Sequence, residues 1–160
     1  MSRRLHHQMT YDAPLAAVVE MLADPRFREA VCEYQRVLRS DVEIDRSGDA
    51  MTVIIEQVQH TERIPSFAKK FVGDEIEIVQ REEWSSPDTA ELHVTIPGKP
   101  GHMDGTITLV ETDGTTVETV DVEIKVNLPL VGGKIEGLVS DLLRKALVAE
   151  ERVGHDYLSA

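Results

Sequence analysis

Cysteine is almost missing from this chain: Cys32 is the only one in 160 residues. A single thiol forms no intrachain disulfide, so a secreted framework held by bridges is excluded. Long apolar runs are missing as well. No window approaches the ~18 apolar residues of a membrane span, and the opening Met1-Ser2-Arg3-Arg4-Leu5-His6-His7-Gln8 has no apolar segment behind its arginines, unlike a signal peptide. Positive charge is scarce too. Seventeen basic against 29 acidic side chains leave a formal charge of −12. Nucleic acid and anionic membrane both need a positive face, so neither is expected as the main partner. The Lys69-Lys70 pair is too small to reverse that balance. The expected compartment is the cytoplasm.

What is present is a folded profile, with 41% hydrophobic and 29% charged residues. The length fits one domain over residues 1–160. The organising stretch is Leu130 to Ser159. Read at ~100° per residue, Ile135, Leu138, Val139, Leu142, Ala146, Ala149, Val153 and Tyr157 form one stripe, which Leu143 and Leu147 widen on one side. Ser140, Asp141, Arg144, Glu151, Arg152 and His155 fall opposite, so the pattern predicts one long amphipathic helix.

Upstream, Leu5, His7, Met9 and Tyr11 alternate with polar neighbours as a first strand. Pro14 and Asp24-Pro25 open two short helices, the first carrying Leu15, Val18, Val19 and Leu22, the second Phe27, Ala30 and Val31. From Val37 the period changes to two. Strands are predicted around Val42–Ile44, Met51–His60, Glu75–Trp84, Thr89–Pro97, Met103–Glu111 and Thr116–Leu128, separated by turn-forming clusters such as Arg46-Ser47-Gly48-Asp49. The Val53-Ile54-Ile55 run leaves its strand's inward face open. Pro65-Ser66 can start a helical turn that carries Phe67 and Phe71, and Gly132-Gly133 is expected to turn the chain into the last helix. The fold class is therefore α+β: a seven-stranded antiparallel curved sheet wrapped around a long C-terminal helix, with two short helices after the first strand.

This order resembles the START-like superfamily, also called the SRPBCC or helix-grip fold, which includes birch-pollen allergens and polyketide aromatase/cyclases. Three stretches resemble a largely actinobacterial domain of unknown function within it: Tyr11-Asp12-Ala13-Pro14 with Met21 to Phe27, Ile64 to Gly73 with Glu83-Trp84, and Leu128 to Glu136. The resemblance implies a deep cavity between sheet and helix for a hydrophobic small molecule. It implies no catalytic residue.

Motifs for other chemistry are weak. Gly132-Gly133-Lys134 lacks the upstream glycine and following Ser/Thr of a phosphate loop. The six histidines stand in no metal-ligand spacing, His102 with Asp104 reads as solvated loop, and Cys32 reads as a small buried hydrophobe. No metal or cofactor is expected. Gln80 and Glu82 share a strand face with Ile76, Ile78 and Trp84, the face expected to be concave. Burying such groups without partners costs several kcal/mol at the upper end. Either a cavity holding water or a polar head group explains them, or they lie at the sheet edge or beyond a bulge. Phe67 and Phe71 are either a satellite cluster or a lid over the cavity mouth.

The expected ligand-binding set is Phe67, Phe71, Ile78, Gln80, Glu82, Trp84, Leu92, Val94, Ile107, Val122, Leu138 and Leu142. The leading function is binding of a hydrophobic or amphipathic small molecule, lipid or polyketide-like, without catalysis. Two alternatives stay open. One is a cyclase/dehydratase-type enzyme using Glu82 or a histidine as general acid/base; the other is a protein-interaction module with a filled core. Oligomeric state is not legible.

Overall fold

The computed structural model describes residues 2–160. Its seven strands are β1 (Arg3–Tyr11), β2 (Arg39–Ser47), β3 (Ala50–His60), β4 (Glu75–Ser86), β5 (Thr89–Thr95), β6 (Gly101–Thr112) and β7 (Thr115–Val126). The helices are α1 (Leu15–Leu22), α2 (Pro25–Tyr34), α3 (Ser66–Val72) and α4 (Gly132–Ser159). All strand pairs are antiparallel, in the order β1-β7-β6-β5-β4-β3-β2. Chain-adjacent strands from β2 to β7 pair; β2–β3 and β6–β7 do so through tight turns in which Gly48, Asp113 and Gly114 adopt positive φ, whereas β3 and β4 are joined by the segment that holds α3. Only β1 pairs far along the chain, with β7. A helix-grip fold is the result.

The period-two pattern sets the faces. Leu5, Met9 and Tyr11 of β1, Val53 and Ile55 of β3, Leu92 and Val94 of β5, Ile107 and Leu109 of β6, and Val120, Val122 and Ile124 of β7 are buried on the concave side. Ile54 points away, which resolves the Val53-Ile54-Ile55 run. The register of β4 does slip, but only between Trp84 and Ser86, beyond the alternating Ile76-to-Trp84 face. α1 and α2 cap one end of that face with Val18, Met21, Leu22, Phe27 and Val31. Asp24 caps α2 by accepting from the Arg26 backbone N–H at 2.9 Å.

α4 lies where the sequence places it but rotated about its axis. Its most buried residues are Gly132, Glu136, Ser140, Leu147, Ala149 and Gly154, with Leu143 partly buried. Ser140, expected on the solvent side, is buried, while Leu142 at the middle of the apolar stripe is 41% exposed. The ridge Gly132, Glu136, Ser140, Leu143, Leu147 and Gly154 is thus roughly 100°, one residue's turn, from the stripe, although Ala149, Val153 and Tyr157 of the stripe also pack inward near the helix's C-terminal end. Small and polar residues win this ridge because the helix approaches the sheet closely there. A Cβ on Gly154 would come 2.5 Å from Tyr11 Cε1, and one on Gly132 would come 2.7 Å from the Val126 carbonyl oxygen. Gly132 therefore serves close approach; the turn into α4 is made by Leu130, whose φ is 71°. Glu136 pins the same end by accepting the Val126 backbone N–H at 2.9 Å.

Candidate functional site: a cavity beside a buried ion network

The displaced apolar stripe has its own use. Ile135, Leu138, Val139, Leu142 and Ala146 form one wall of a cavity of about 350 Å³. Ala68, Phe71 and Val72 of α3 form a second wall, and Ile76, Ile78, Val94, Met103 and Val126 of the sheet the back. That volume is within the ~300–1,000 Å³ typical of small-molecule sites. Its polar lining is sparse: Gln57, Gln59 and Gln80 from β3 and β4, Gln35 after α2, and exposed Lys99 and Lys145. Gln59 donates through Nε2 to Gln57 Oε1 at 2.9 Å.

Two residues beyond Gln80 on β4, the polar face leaves the cavity and enters a charged core. Glu82 and Arg28 of α2 are each 2% exposed and form a two-pronged pair, Nη1 to Oε2 at 2.9 Å and Nη2 to Oε1 at 2.8 Å. Trp84 Nε1 donates to Glu82 Oε1 at 2.9 Å, and Gln80 Nε2 to Oε2 at 2.6 Å. Each carboxylate oxygen thus accepts two donors, which fills its lone pairs. Burial works against the charged form of Glu82, but the Arg28 charge and these hydrogen bonds outweigh it and hold its carboxyl below the ordinary range. Arg28 also donates through Nε to the Leu22 carbonyl oxygen at 2.9 Å, and its Nη1 stands 3.7 Å from Glu150 Oε1 on α4.

The network is overloaded with acid. Glu118 of β7 is 2% exposed, and its Oε1 has no hydrogen-bond partner among the described residues. Burial first, then the neighbouring Glu150 and Glu82 charges, push its carboxyl well above the usual value, with Arg28 opposing. Burial also pushes Glu150 up to about 7, against the pull of Arg28. Tyr11 lies alongside, its hydroxyl raised by burial and by the Glu150 and Glu118 charges.

Of the sequence-predicted residues, Phe71, Ile78, Gln80, Val94, Leu138 and Leu142 meet at the cavity. Leu92, Ile107 and Val122 are packed in the core, and Glu82 and Trp84 belong to the ion network behind it. Phe67 turns toward α4 instead, with Lys134 Nζ 4.8 Å from its ring centroid. Gln57, Gln59, Lys99 and Lys145 are additions of the structure, as is Arg28. The strand alternation Met51, Val53, Ile55, Gln57 was signal enough for Gln57. On the convex face, Glu83, Glu91 and His93 bring ligand-type atoms within 4.8 Å of one another, and His93 Nδ1 stands 2.7 Å from Asp104 Oδ1. All are solvent-accessible ion pairs.

A curved antiparallel sheet closed over a long C-terminal helix, with a cavity between them, is a START-like, helix-grip fold. Solved structures share that architecture. TTHA0849 of Thermus thermophilus is 15% identical with a TM-score of 0.65, over 96% of this chain and 95% of that one. A START superfamily protein from Mycobacterium smegmatis is 12% identical with a TM-score of 0.63, over 97% and 98%. The di-domain ARO/CYC StfQ of the steffimycin biosynthetic pathway is 11% identical with a TM-score of 0.65, over 98% of this chain and 50% of that one. At these identities the likeness is one of fold. No curated protein matches the sequence significantly. The chain belongs to the family described as protein of unknown function DUF2505, whose profile matches residues 6–158.

Proposed function

We propose that this protein binds a hydrophobic or amphipathic small molecule, lipid or polyketide-like, in the cavity between the sheet and α4. The observation that carries this reading is the 350 Å³ space itself, walled mainly by aliphatic side chains. Apolar walls left unfilled forgo dispersion contacts that a ligand restores. A filled-core interaction module would have no such space. The cyclase-type alternative loses Glu82 as an acid–base candidate, because Glu82 is saturated by four donors and separated from the cavity by Gln80, and among the described residues no histidine lines the cavity. Among the described residues no helix is long and apolar enough to cross a membrane. The lone cysteine supports the cytoplasm as the proposed compartment.

Native mass spectrometry of the protein purified from its own cells tests the reading. A small-molecule adduct is expected, and Val94→Trp, which fills the cavity, should abolish it. Absence of any adduct, together with no calorimetric binding of fatty acids, sterols or aromatic polyketides, would overturn it.

A further inference from the structure

Gln80 stands at the junction between the cavity and the buried ion network, and its amide cannot turn freely. Both Glu82 oxygens accept donors that never accept in return: two from the Arg28 guanidinium and one from the Trp84 indole. The remaining position faces Gln80 at 2.6 Å. Only the NH₂ end of that amide can serve it; an amide oxygen there would confront a carboxylate oxygen. The network therefore fixes the orientation, and Gln80 Oε1 is left as the acceptor it offers to the cavity.

The groups behind it offer an anion no partner either. The guanidinium there, Arg28, is already held by both oxygens of Glu82, with Glu150 3.7 Å away. A ligand carboxylate brought to Gln80 would meet an amide oxygen and no free cation while losing its water. The two ammonium groups of the lining, Lys99 and Lys145, are on exposed segments at the rim. Polarity thus runs from acceptor inside to cation outside.

We propose that Gln80 is the specificity-determining residue of the cavity, selecting an apolar molecule that enters with a neutral hydroxyl or N–H donor foremost, and directing any acidic end of it outward to Lys99 and Lys145. This rests on the cavity-binding reading above and adds the ligand's chemistry and its direction.

Three probes of nearly one shape separate the possibilities by calorimetry at neutral pH: 4-hexylphenol, 4-hexylanisole and 4-hexylbenzoate. The phenol has a donor, its methyl ether has none, and the benzoate is an anion. The wild type should bind the phenol about five- to tenfold more tightly than the anisole, the worth of one hydrogen bond. Gln80→Leu, and independently Gln80→Met, should erase that preference by weakening the phenol alone. Benzoate affinity should be insensitive to both variants and fall in Lys99→Ala/Lys145→Ala. Equal affinities for phenol and anisole in the wild type would overturn the inference and leave cavity binding standing. So would a preference that survives both Gln80 variants. If none of the three probes binds the wild type, the inference is overturned, while cavity binding stands or falls by the adduct and calorimetry above.

Discussion

Arg28 shows what a local pattern can and cannot reveal about a residue. The face carrying Phe27 and Val31 marks the inward side of α2, and Arg28 adjoins it, so its burial was within reach of the sequence. Its partner was not, because Glu82 lies 54 residues away and no periodicity links them. For the same reason the sequence offers Glu82 only a wet cavity or a sheet edge, when the fold supplies a guanidinium. Removing one member of a buried pair leaves an uncompensated charge. Arg28→Met should therefore cost about 3–5 kcal/mol in urea unfolding, and Trp84 emission in the folded state should change as its hydrogen-bond acceptor shifts. The double change Arg28→Met/Glu82→Leu should cost less than the single one. A single variant within ~1 kcal/mol of wild type would mean that the network contributes little.

Elements were more legible than residues. Strand alternation and hairpin turns are local signals, and the seven strands and four helices follow the sequence closely. The facing of α4 follows it only in part, since only some of the apolar stripe is the packed side. In this fold the helix has two apolar duties. One ridge packs on β1 and β7, where Gly132, Ser140 and Gly154 permit close approach, and the aliphatic stripe walls a cavity. Hydropathy does not distinguish a residue that packs from one that lines a void. Stability does. Leu147, 9% exposed, belongs to the core cluster, so Leu147→Ala should lose ~2–5 kcal/mol. Leu142→Ala should lose under ~1.5 kcal/mol, because its side chain already borders open space. Urea melts of the two variants decide between the ridge and the stripe: equal losses, or a larger one for Leu142, would restore the stripe as the packed face.

At the scale of the whole molecule, acid excess outside and inside favours the same conditions. The surface share of the −12 formal charge repels itself, and salt screens that part. The buried share is scarcely screened. Glu150, raised to about 7, and Glu118, raised well above its ordinary value of 4.5, hold protons in the folded state that the unfolded chain has already released. Between pH ~4.5 and 7 the native state thus binds more protons than the unfolded one, and stability must fall as pH rises. The contribution is complete below the unfolded pKa and is lost as pH climbs through the folded value. Glu82 acts in the opposite sense over a lower window. Its depressed carboxyl contributes stability above its unfolded pKa of 4.5 that is lost as pH falls through the folded one. The two trends set a stability maximum near pH ~5. Thermal unfolding from pH 4.5 to 8 should show the decline on the alkaline side, and the decline should persist in high salt. Glu118→Gln removes at nearly constant shape a carboxyl that is protonated when folded and ionised when unfolded, so it should flatten that limb and raise Tm at pH 8 more than at pH 5. A wild type more stable at pH 8 than at pH 5.5, or a variant with an unchanged slope, would show that the buried acids do not set the pH response.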